Sequence, residues 1–164
     1  MAWGQGLKII LKFNDAFWPS NAGSIVGPGP VPEFWTTASG GRSDNAHLLT
    51  AFVNGENAES LIALGDGMIT AILSQLDTFF GDTVATTNYV DHFIMNWGDM
   101  PYIRGAYSFP KPGMAPETRG LLKDPVNNKI YFAGEAVHDG GHHGTVHGAM
   151  ESALSAVTKI LTTA

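Results

Sequence analysis

A glutamate that directly follows a short apolar run, with a glycine-rich loop leading from it into a helix, has the clearest chemical potential in this chain. The run is Lys129-Ile130-Tyr131-Phe132-Ala133, the pair after it is Gly134-Glu135, and the helix begins near Gly144-Thr145. The exposed N–H groups of a helix start attract an anion or a partial negative charge. Gly144 and Gly148 permit the close approach of a ligand or a neighbouring strand. Glu135, placed just past the strand, is positioned to hydrogen-bond the hydroxyls of a sugar or polyol. The residues alone leave a second reading open: a strand–helix unit with turn glycines and a solvated glutamate.

Other residue types suggest other chemistry. His138, Asp139, His142, His143 and His147 raise the question of a metal. His143 and His147 have i, i+4 spacing, but the general-base glutamate of H-E-x-x-H is missing and His143 falls before the helix. The loop reads as solvated or hydrogen-bonded structure, with no metal site expected. Trp97, Tyr102 and Tyr107, with Phe93 and Phe109, form an aromatic stretch interrupted by Pro101, Gly105 and Pro110. It suits the wall of a planar apolar pocket, or a core under irregular backbone. Arg104 in that stretch could meet a carboxylate or cap a carbonyl. There is no G-x-S-x-G elbow and no Walker A loop. Gly65-Asp66-Gly67 lacks the third glycine of a dinucleotide fingerprint and lies inside a helical pattern.

Composition narrows the classes. The chain has 164 residues, 44% hydrophobic and only 15% charged, which excludes general disorder and suggests that much surface is covered. A net charge of -6 argues against a nucleic-acid partner. With no cysteine, disulfides, thiolate metal sites and cysteine nucleophiles are excluded. No signal peptide is evident, and no apolar run reaches the roughly 18 residues of a membrane span. A soluble, cytoplasmic protein with no membrane partner is the expectation.

The elements that must position these residues follow from periodicity. Residues 7–13 alternate as a strand, 14–45 read as loops with a short strand at 34–37, and 47–53 as a second strand closed by an Asn54-Gly55 turn. Leu61, Leu64, Met68, Ile72, Leu76 and Phe79 mark a helix over 58–80, with Asn57 as its cap, Gly81 at its end and a break near Gly65-Asp66-Gly67. Residues 83–95 and 129–133 read as strands, and 145–161 as a helix.

Two blocks carry a resemblance. Trp97-Gly98-Asp99-Met100-Pro101-Tyr102-Ile103-Arg104-Gly105-Ala106-Tyr107-Ser108, then Pro112-Gly113, is similar to the C-terminal part of the flavin-containing amine oxidases. So is Lys129–Ala136, followed by Gly144-Thr145-Val146-His147-Gly148-Ala149 and Ser152-Ala153. Lys8–Phe13 with Phe17-Trp18-Pro19 resembles a substrate-domain strand of that family, which includes monoamine, polyamine and L-amino-acid oxidases. The resemblance implies an α+β and α/β fragment. Residues 1–95 would be part of a substrate-binding domain with a mixed sheet plus helix. Residues 96–164 would be the C-terminal strand–helix return of an FAD-binding domain.

It further implies FAD as cofactor and an amine or amino acid as substrate, oxidised to the imine with dioxygen reoxidising the flavin. Gly134, Glu135, Gly144, Thr145 and Val146 match cofactor-binding positions, and Trp97, Tyr107 and Thr145 match the substrate pocket. Trp97 and Ala106 also match positions beside the flavin. Where members with covalent flavin have cysteine, this chain has Ala106, so the resemblance implies non-covalent FAD. The second aromatic of the monoamine-oxidase cage falls at Thr145, which favours an amino-acid-oxidase-like or other bacterial-type relative over a monoamine oxidase proper. No position is assigned a certain catalytic role. The family's G-x-G-x-x-G motif and the lysine that holds a water near flavin N5 would lie upstream of Met1. The resemblance implies the C-terminal part of an enzyme that is incomplete alone, as one subunit of a split enzyme with an upstream-encoded N-terminal chain or as a truncated gene product; the alternative is a non-catalytic oligomeric or partner-binding module that retains the fold fragment. In both cases the uncovered apolar faces predict an oligomer.

Overall fold

The computed structural model describes residues 1–37 and 47–163. The loop expected over 14–45 therefore lies partly outside the described residues. The chain forms two compact units, Gln5–Gly105, and Met1–Gly4 with residues from Ala106 onward.

The Gln5–Gly105 unit is a five-stranded antiparallel sheet covered by helices. Its longest interior strand is β2 (Gly6–Phe13), with β3 (Ser24–Val26), β4 (Glu33–Thr36), β5 (Leu48–Asn54) and β6 (Tyr89–Asn96) in the order β3-β4-β5-β2-β6. Alternation sets the register. Leu7, Ile9, Leu11 and Phe13 are buried on one face, while Lys8, Ile10 and Lys12 point to the other. Ile9 pairs with Ala51 on one side and Ile94 on the other. On the second face Trp35 stacks on Phe52 with centroids 4.5 Å apart, and the Lys8 ammonium sits 5.1 Å from the Trp35 ring.

The expected long helix is two helices. α1 (Gly55–Ala63) and α2 (Met68–Phe80) are separated by a 3-10 turn at Gly65–Gly67, as the glycines suggest. Ala58, Leu61, Met68, Ile72, Leu73 and Leu76 pack onto Leu7, Ile9, Phe34 and Leu49 to form the core. Asn57 does not cap. Gly55 takes φ 61°, so the strand turns straight into the helix and Asn54 holds the cap position without a side-chain bond. Residues 83–95 are only partly strand: α3 (Val84–Asn88) precedes β6. The Asp77 carboxylate accepts from the N–H groups of Ala85 (2.7 Å) and Thr86 (3.1 Å), overriding the β-branched propensity of this stretch.

Gln75 is a core residue that periodicity does not reveal. It is buried on α2. Its Oε1 accepts from Val31 N at 3.0 Å, and its Nε2 donates to Pro28 O at 3.1 Å and Val31 O at 2.7 Å. It grips the Gly27–Pro30 loop. Gln75→Leu leaves those backbone groups unpaired, so a loss of about 1–3 kcal/mol is expected in urea unfolding.

The other unit pairs β1 (Ala2–Trp3) with β7 (Ser108–Phe109), followed by a 3-10 segment at Pro116–Lys123 and α4 (Val146–Thr163). The strand expected at 129–133 is absent. Asn127 and Asn128 turn with φ 52°, and a single bridge joins Val126 to Ile130. A strand needs a neighbour, and among the described residues of this unit none lies alongside. Ile130 and Phe132 are left exposed. Among the described residues no helix is long and apolar enough to cross a membrane.

Candidate functional site

The loop between Gly134 and α4 is built around the Glu135 carboxylate. Its Oε1 accepts from Ser108 N at 3.0 Å, and its Oε2 accepts from Ser108 Oγ and Gly144 N, both at 2.8 Å. The carboxylate ties β7 to the turn that starts α4. Gly144 makes that turn at φ 72°, a region that strains other residues.

Ser108 carries the charge further. Arg119 Nη1 donates to Ser108 Oγ at 2.7 Å and to Ala136 O at 3.0 Å. A guanidinium only donates and a carboxylate only accepts, so the Ser108 proton points at Glu135. Arg119 is buried, and no carboxylate among the described residues lies within salt-bridge reach of it. Glu135 balances it through the shared hydroxyl. Neither Arg119 nor the role of Ser108 was legible in the sequence, because an isolated arginine in a polar 3-10 segment has no spacing signature.

The helix start is closed by side chains. Thr145 Oγ1 donates to His142 O at 2.6 Å and accepts from Gly148 N at 3.1 Å, an N-cap arrangement. Buried Ser152 reaches back one turn further along. Its Oγ accepts from Gly134 N at 2.8 Å, and its proton faces Ala149 O (2.8 Å) and Gly134 O (3.0 Å). Among the described residues, the N–H groups of Thr145 and Val146 have no internal partner, and Val146 is exposed.

Most of the residues singled out in the sequence meet here. Glu135 binds Gly144, Thr145 and Val146 follow it, and Gly134 is held by Ser152. Tyr107 stands against the turn, since a Cβ at Gly144 would lie 3.8 Å from its Cδ1. Ala106 precedes Tyr107, and its N donates to Gly4 O at 2.9 Å. Trp97 belongs to the other unit, half-buried after β6, with its N donating to Gly6 O at 3.1 Å. Among the described residues Arg104 has no carboxylate partner; its backbone turns at φ 59°.

The residues fit a flavin. Three donors occupy Glu135, and a carboxylate has about four acceptor positions, so one remains for a hydroxyl. The backbone at Gly134 is open: a Cβ there would meet nothing within 4 Å. At the start of the 18-residue helix, the N–H groups of Thr145 and Val146 have no partner among the described residues.

Comparison with known proteins agrees. The family model for flavin containing amine oxidoreductase matches residues 1–161. The chain is 31% identical to "Histone demethylase-like protein A" of Aspergillus fumigatus, over 98% of this chain and 16% of that protein. It is also 31% identical to "Probable polyamine oxidase 4" of Arabidopsis thaliana, over 93% of this chain and 30% of that protein. A solved structure of a putrescine oxidase A394C mutant superimposes with a TM-score of 0.82 at 22% identity, covering 99% of this chain and 36% of that one. The chain thus spans less than a third of the length of these two curated relatives. A mixed α/β architecture shared with putrescine oxidase and a family match along nearly the whole chain place it in the flavin-containing amine oxidoreductase family.

Proposed function

We propose that this chain supplies the flavin-facing loop and part of the amine site of an FAD-dependent amine oxidase. The observation that carries this reading is the Glu135 carboxylate, held by Ser108 and Gly144 beside the free N–H groups of Thr145 and Val146. Residues 1–95 would belong to the substrate-binding part, and 96–164 to the FAD-binding part. Bound FAD would supply the redox chemistry, with hydride acceptance from the carbon next to the amine and reoxidation by dioxygen. This chain's own groups do the rest. Glu135 accepts from a sugar-alcohol hydroxyl and fixes the Gly144 turn. The helix-start N–H groups would stabilise negative charge on the bound flavin. Tyr107, beside the Gly144 turn, provides an apolar wall that positions the amine and excludes water.

The polyamine oxidase among the relatives favours a polyamine over an amino acid as substrate. Ala106 has no nucleophile, so the FAD is non-covalent. The apolar row Val146, Met150, Leu154, Val157 and Leu161 on α4 is exposed, and the remainder of the FAD-binding part, in the same polypeptide or a partner chain, covers it. The test is anaerobic addition of amines to the native polypeptide that contains this chain, followed in the visible spectrum. Bleaching by a polyamine, with the flavin released by acid precipitation, is the expected result. A flavin that no amine bleaches would favour a non-catalytic module that retains the fold.

A further inference from the structure

Three side chains behind the loop converge in a way the flavin reading does not use. His138 comes from the loop's first half, His142 from its second half, and Glu151 from α4. Glu151 Oε2 lies 2.7 Å from His138 Nε2 and 3.1 Å from His142 Nδ1. One atom from each lies within 4.8 Å of the others. The two imidazoles stack with centroids 5.3 Å apart and planes 17° from parallel, so both present a nitrogen to the same carboxylate. His147 packs edge-on against His142 at 4.6 Å and holds that ring in place.

We propose that His138, His142 and Glu151 form a binding site for a divalent transition-metal ion of the zinc type, which staples the loop to α4. Two imidazole nitrogens and one carboxylate oxygen are the donor set such ions prefer, with water completing a tetrahedron. Bonds of about 2.0–2.2 Å from donors this close need only small side-chain rotations. His138 and Glu151 also line a cavity of about 100 Å³, which leaves room for that water. Asp139 does not compete, because Lys123 pairs with it.

Binding changes one existing contact. His138 Nδ1 now accepts from Gly140 N at 3.1 Å, which puts the ring proton on Nε2. A metal at Nε2 moves that proton to Nδ1, and exposed Gly140 turns its N–H to water. The His143–His147 pair of the sequence pattern is not the site, because the third ligand comes from the second turn of the helix.

Titration calorimetry of the tag-free, chelator-treated chain with Zn²⁺ tests this. One ion per chain is expected. His142→Ala and Glu151→Ala should each weaken binding at least about tenfold, while His47→Ala changes nothing. Circular dichroism confirms that the variants are folded. If a variant is not, imidazole nitrogen chemical shifts of the unmodified chain decide instead. Zn²⁺ should move the signals of His138 and His142 among the six histidines. No saturable binding, variants that bind as the parent does, or shifts at other histidines alone would each overturn the proposal.

Discussion

Replacing Glu135 with alanine is expected to free the Gly144 turn and abolish flavin retention by the polypeptide that contains it. The substitution strips the acceptor from Ser108 N, Ser108 Oγ and Gly144 N together. It also leaves buried Arg119 with only a serine hydroxyl and carbonyls for partners. Hydrogen bonds to a charged group are worth more than neutral ones, and an uncompensated buried charge costs more still. A loss of about 2–4 kcal/mol in this unit is expected from those terms, read as faster amide exchange at Ser108 and Gly144. Glu135→Gln keeps one acceptor oxygen and should fall between the two. The double variant Glu135→Gln with Arg119→Met tests the balance directly. If the two groups are coupled through Ser108, its loss is smaller than the sum of the single losses.

The second large effect is at Gly148. A Cβ there would lie 2.0 Å from His142 O and 2.8 Å from its carbon, both backbone atoms that cannot rotate away. The same carbonyl accepts from Thr145 Oγ1, whose oxygen caps Gly148 N. Gly148→Ala therefore pushes apart the cap and the loop that share this point. Overpacking of this kind costs about 1–3 kcal/mol, before the cap bonds are counted. Thermal unfolding of the variant against Gly67→Ala checks it. At Gly67 the nearest atom is an ordinary 3.9 Å away and φ is -77°, so that change should be neutral or stabilising.

Local periodicity made β2, the α1–α2 pair and α4 legible, because each buries one face and a two- or 3.6-residue period marks that face. It failed where a distant partner decides. Residues 84–88 are helical because Asp77, from the preceding helix, takes their N–H groups. Lys129–Ala133 has strand composition but, among the described residues, no strand beside it. The site divides the same way. Glu135, Gly144 and Thr145 were visible from a glycine–glutamate pair and a helix start. Ser108, Arg119 and Glu151 were not, because their roles come from meeting residues 9 to 27 positions away across turns.

On the function proposed above, this chain builds one side of a flavin site. The most direct test is the visible absorption spectrum of the native polypeptide containing residues 1–164, purified through a C-terminal tag and passed through a desalting column. The two visible flavin bands are expected, with FAD released intact by acid. A colourless protein that stays colourless after incubation with FAD would contradict it.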